Sequence, residues 1–138
     1  MSYVADLTEM DDGALAVGWL HPNHPYTQGE VPPGFLGRLK EFLNRAGDSI
    51  DTLNWGATGG YYTCEFCEKV WGTGIFGVLN EGRCFCAPQM IAHYVEHHGY
   101  RPPAGFIAAV LAGPLPGTTE YQSAAASFRE AQRGHSRF

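Results

Sequence analysis

The stretch "CEFC" sets Cys64 and Cys67 at a spacing that lets both thiolates of a tight turn reach one cation about 2.3 Å away. A structural zinc site takes four protein ligands, so two more must come from elsewhere in the chain. "AHYVEHHGY" offers His93, His97 and His98, just ahead of Gly99. On a regular helix His93 and His97 lie about 40° apart, whereas His98 lies about 140° round from His93, toward Ile91 and Val95. Regular winding therefore prefers His97, and a last turn that tightens or unwinds before Gly99 would bring in His98. The second completion is Cys84 with Cys86. Two apart on a strand, they share a face and would give a four-thiolate site suited to zinc or an iron–sulfur cluster.

Other chemistry competes for the same residues. Cysteines also serve as small buried apolar side chains, and histidines near a helix C-terminus are favoured by the helix dipole without any metal. A thioredoxin-like redox pair needs its cysteines at a helix N-terminus after a strand. Here the pair precedes a hairpin, and Glu65 and Glu68 would raise thiol pKa values where that chemistry needs them lowered. His21 and His24 in "HPNHP" form either a small polar site or, by preference, a satisfied turn beside a buried Trp19.

The elements that must position these residues follow from pattern. "ALAVGWL" (14–20) reads as a buried strand, and "HPNHPYTQGEVPPG" as an ordered loop. The stripe Phe35, Leu36, Leu39, Phe42 and Leu43 predicts an amphipathic helix stopped at Gly47. Residues 51–63 read as loop or short strand. Two β-rich runs, 75–79 and 83–86, flank "NEG" as a three-residue hairpin loop. Pro88 is placed at the first position of a three-turn helix closed by Gly99, and a second Pro-led helix carries Phe106, Ile107, Val110 and Leu111 to Gly113-Pro114. A last helix begins at Thr119, with Gln122 at capping-box spacing and a stripe of Tyr121, Ala124, Ala125, Phe128 and Ala131.

The expected fold is a small α+β domain over 1–113, a zinc-finger-like hairpin and helix packed on further helices, followed by a linker and C-terminal helix or tail over 114–138. The net charge of −5 gives no electrostatic reason to expect nucleic-acid binding. Eight acids against three bases in residues 1–63 make the first half the more acidic. No apolar run approaches the ~20 residues of a membrane span, so a cytoplasmic protein is expected, whose four cysteines in a reducing compartment are thiols or metal ligands.

"ADLT", "VGWL" with "HP" and "GEVPPGFLGRL", "CEFC", and "APQMIAHYVEHHGYRPPAGFIAAV" run in that order, and over residues 3–111 the chain resembles a family of hypothetical proteins, a domain of unknown function. That family pairs the two-cysteine turn with a hairpin and a helix reading His-Tyr, three residues, His-Gly-Tyr, then Pro-Pro. The resemblance implies Cys64, Cys67, His93 and His98 as the shared polar set, and leaves His97, Cys84 and Cys86 outside it. It implies no reaction.

Two functions are carried forward. In the first, Zn2+ is structural and the protein is a binding or scaffold module for a protein partner, with Tyr94, Tyr100 and Arg101 as contact residues. In the second, the protein is a hydrolase or nuclease whose metal keeps an open position, with Glu96 or Glu65 as base.

Overall fold

The hairpin organises the molecule. Strand β4 (Ile75–Asn80) pairs antiparallel with β5 (Arg83–Pro88), Asn80 opposite Arg83 and Ile75 opposite Pro88. Their loop is therefore two residues, Glu81-Gly82, rather than the expected three. Both have positive φ, 50° and 78°, the signature of a tight turn whose twist matches the flanking strands. Nearly every residue of both strands is buried, β5 as the centre of the sheet and β4 beneath helices that pack on it. Its other neighbour is β1 (Leu15–Ala16), parallel, giving the order β1-β5-β4. This is a computed structural model, and it describes residues 3–10, 13–48, 62–68, 71–72 and 74–135.

The predicted strand 14–20 is buried along nearly its whole length, yet only two residues join the ladder. Gly18 is the reason. Its φ of +82° turns the chain out of extended form, its N–H goes to Asp6 Oδ1 at 3.1 Å, and Ile91 occupies the space a Cβ would need. Trp19 still closes onto the sheet, its indole N–H donating to the Cys86 carbonyl at 3.0 Å.

Helix α1 (Phe35–Asp48) buries Phe35, Leu39, Phe42 and Ala46, with Leu36 and Leu43 half-buried, so the predicted stripe does face the core. Short strands β2 (Tyr62–Thr63) and β3 (Trp71–Gly72) pair antiparallel on either side of the Cys64 turn. Of the stretch read as loop or strand, 51–61 lie outside the described residues.

Helix α2 (Ile91–His98) is two turns long, one fewer than expected. Pro88 ends β5 rather than starting the helix: its lack of an N–H is tolerated at the last strand residue, and a turn over 89–90 separates the elements. Helix α3 (Ala104–Ala112) follows Pro103 and buries Phe106, Ile107 and Val110, whereas Leu111, expected in the stripe, is exposed. Arg38 of α1 caps it, donating to the carbonyls of Val110 at 3.1 Å and Gly113 at 3.2 Å and so serving acceptors the helix end leaves unpaired.

Helix α4 (Thr119–His135) starts one residue beyond its true cap: the Tyr121 N–H bonds to Thr118 Oγ1 at 3.2 Å, so Thr118 does the work assigned to Thr119. Tyr121 and Ala125 are fully buried. The Tyr121 hydroxyl donates to the Gly77 carbonyl at 2.6 Å, docking α4 on β4. The fold is α+β, and no described helix is long and apolar enough to cross a membrane.

Candidate metal centre

The Cys64 turn is closed by the Glu68 N–H, which bonds to the Cys64 carbonyl at 2.7 Å, with Glu68 itself in the left-handed region at φ 57°. Inside it the backbone N–H groups of Cys67 and Phe66 point at Cys64 Sγ and favour its thiolate. Burial acts the other way and dominates, so the Cys64 thiol titrates above its ordinary value.

Opposite the turn stands α2. Its last turn is wound one residue wide: the Gly99 N–H bonds to the Tyr94 carbonyl, five residues back rather than four, and Tyr100 N–H reaches the same oxygen at 3.2 Å. Gly99 permits this by taking φ 64°. At this helix end the His98 ring meets that of His93, with the Nε2 atoms 3.2 Å apart. Regular geometry favoured His97. The structure instead turns His97 outward, against Glu96 Oε1 at 3.3 Å, although its ring still lies 5.0 Å from that of His93.

The donor atoms of Cys64, Cys67, His93 and His98 lie within 4.8 Å of one another, and this group could hold a metal ion. Cys64 Sγ is 3.4 Å from His98 Nε2, Cys67 Sγ is 3.4 Å from His93 Nε2, and the two Nε2 atoms are 3.2 Å apart. A tetrahedron with ordinary zinc bond lengths has edges of about 3.6 Å between sulfur and nitrogen and about 3.3 Å between nitrogens. These three separations lie close to those edges. Hydrogen bonding alone could join such groups in pairs, but does not require four donors to converge on one point.

The protonation states of the two histidines suit ligation, whereas the raised Cys64 thiol must give up its proton to a metal. Burial lowers the His93 and His98 pKa values, helped by the neighbouring imidazoles, which keeps both rings neutral with a lone pair to give. Phe66, between the cysteines, covers the group: its ring lies 5.1 Å from His98, 5.9 Å from Tyr94 and 5.4 Å from Tyr26. Tyr26 in turn donates its hydroxyl to the His98 carbonyl at 2.7 Å. Loop residues 27–29 are stitched to the end of α2 by Gly29 N–H to Gly99 O and Arg101 N–H to Thr27 O. Sequence reading overlooked Phe66 and Tyr26 as supports. The one available signal was an aromatic residue inside the Cys-x2-Cys turn.

Residues weighed for other roles are placed elsewhere. Cys84 and Cys86 sit in the hydrophobic core on β5 and outside the cluster, and none of the four cysteines forms a disulfide. Glu96 is held by Lys40 at 2.8 Å and by His97, which keep its carboxyl below the usual range, and it is not among the four converging donors. Glu65 pairs with His21 Nε2 at 3.0 Å, while His21 Nδ1 accepts the Asn23 N–H. "HPNHP" thus braces the cysteine turn. Tyr94 and Tyr100 are buried and offer no contact surface, and only Arg101 of that trio is exposed. Among the described residues no second group of three or more Cys, His, Asp or Glu converges in this way.

No curated protein and no solved structure matches the chain. The helices α1 to α3 but for the last residue of α3, the sheet and the four-residue cluster fall within residues 2–111, which match the family model described as domain of unknown function (DUF7919), and the chain belongs to that family.

Proposed function

We propose that the protein is a zinc-binding scaffold module of the cytoplasm, in which Cys64, Cys67, His93 and His98 hold one Zn2+ as a closed structural site and the surface around it receives a protein partner. The observation that carries this reading is the convergence of two sulfurs and two imidazole nitrogens within 4.8 Å of one another, three of their separations being 3.2–3.4 Å. Two soft and two borderline donors suit zinc over calcium or magnesium, which prefer oxygen. Four protein ligands leave no position for a water, so the ion would supply cohesion rather than catalysis. It would lock the Cys64 turn onto α2, two elements otherwise joined by the packing of Phe66 against Tyr94 and His98. The engagement of Glu96 and Glu65 by other partners speaks against either as a base at the metal.

The test is metal analysis of the purified full chain followed by cobalt substitution. One zinc per chain, and the intense visible absorption of a tetrahedral cobalt–thiolate site, are expected. A chain that purifies without metal and takes up no cobalt defeats the reading. A bound metal with an exchangeable water ligand would turn it toward metal-assisted hydrolysis.

A further inference from the structure

A second polar feature lies beyond the metal cluster, where residues 3–6 cross the loop 20–27. A cavity of about 350 Å3 opens there, within the range of small-molecule sites. Tyr3 and Tyr26 line it with aromatic rings, Val4 and Leu20 with aliphatic surface, and Asp6 with a carboxylate. Both rings are held in place. Tyr3 stacks on His24, with centroids 3.9 Å apart and planes within 6°, and Tyr26 meets Phe66 and Tyr100 edge to face while its hydroxyl is tied to His98.

Asp6 decides the chemistry. Its Oδ1 accepts the Gly18 N–H at 3.1 Å and its Oδ2 accepts the Tyr100 hydroxyl at 2.8 Å. Both donors are neutral, and among the described residues no Lys, Arg or His pairs with it. A carboxylate has about four acceptor positions, so two remain. A negative charge without a counter-ion, two fixed aromatic rings and an apolar floor are complementary to one class of group, a cation clothed in methyl or methylene. The rings attract such a cation by their quadrupoles, the carboxylate by its charge, and the aliphatic walls receive the alkyl groups. The acidic balance of residues 1–63 favours the same sign of ligand.

We propose that the Tyr3–Tyr26–Asp6 cavity binds an alkylammonium group, with a quaternary or methylated ammonium as the best fit. This group could come from a free small molecule or from a methylated lysine on a protein tail. The inference does not depend on zinc.

The test is calorimetric or NMR titration of the intact chain with choline, with its uncharged isostere 3,3-dimethylbutan-1-ol, and with a short peptide carrying trimethyl-lysine beside its unmethylated form. The expected result is saturable binding of choline or of the methylated peptide at least ten-fold tighter than the uncharged alcohol, with shifts at Tyr3 and Tyr26. Tighter binding of the peptide assigns the ligand to a protein tail, and tighter binding of choline to a free metabolite. Equal binding of choline and the alcohol, or binding of neither cation, overturns the proposal. Because Asp6→Asn also touches two structural hydrogen bonds, Tyr3→Leu and Tyr3→Phe form the decisive pair. The leucine variant should weaken the cation about ten-fold and the phenylalanine variant should retain it, and equal affinities in the two would sink the aromatic role.

Discussion

His98 joins the cluster at the end of α2 while His97 turns to Glu96, and that makes the two neighbouring histidines unequal. His97→Ala should leave zinc affinity within about two-fold of the parent, since its ring faces Glu96. His98→Ala should lower it by ten-fold or more, as loss of one supporting or direct metal contact commonly does. Competition with a chromophoric chelator reads both. Protonation gives a second expectation, for the metal-free chain. The folded state holds His93 and His98 below their ordinary 6.5, so as pH falls through that value the unfolded chain takes up protons first and stability declines. At the alkaline end Cys64, held above its ordinary 9.0, makes the unfolded chain the first to lose a proton, and stability declines again. Thermal melts of chelator-treated protein from pH 5 to 10 should therefore pass through a plateau near neutrality, and His93→Gln with His98→Gln should flatten its acid side. The cysteine pair and the histidine triplet were legible as residues. Which histidine turns inward was not, because ideal periodicity places His97 rather than His98 on the face of His93, and the helix end is where ideal periodicity is least reliable.

Turn chemistry accounts for most of the differences at the scale of elements. The apolar stripe of α1 was readable because 3.6-residue spacing survives any detail at its ends. The hairpin was readable too, but its loop was set one residue too long: glutamate is a poor marker for a left-handed turn position, which Glu81 nevertheless occupies at φ 50°. Glu81→Asn should stabilise the protein by about 1 kcal/mol, since asparagine accepts that conformation at lower cost. Urea denaturation would check it, and a destabilised variant would mean that the Glu81 side chain makes a contact of its own. Pro88 misled for a related reason. Proline marks a boundary, but whether a helix opens there or a strand closes depends on the partner across the sheet, here Ile75. The strand predicted over 14–20 failed at Gly18, whose role as a close-approach site for Ile91 depends on a residue more than seventy positions away.

For the molecule as a whole, the segment beyond the family match has a structural task. β4 is a sheet edge, and its outward carbonyls are met by the Tyr121 hydroxyl at Gly77 and by close packing of Gly113 against Leu79. A Cβ on Gly113 would lie 2.4 Å from the Ala109 oxygen and 2.5 Å from that of Leu79, both backbone atoms that cannot swing aside. Gly113→Ala should therefore cost about 2 kcal/mol or more in chemical denaturation. Removal of residues 114–138 should uncover the edge, lower the melting temperature and promote association, measured by light scattering after gel filtration. A monomeric truncation with unchanged melting would show that the edge needs no cover. Tyr26 poses a subtler problem for experiment. Its hydroxyl holds the His98 carbonyl, 72 residues away in sequence, while its ring forms a wall of the acidic cavity. One side chain thus reports on both places at once, and a Tyr26 variant that loses metal and cation together would not say which loss came first. Tyr3 lines the cavity without touching the four donors and Phe66 covers the donors without lining the cavity, so the informative perturbations are the pair on either flank of Tyr26.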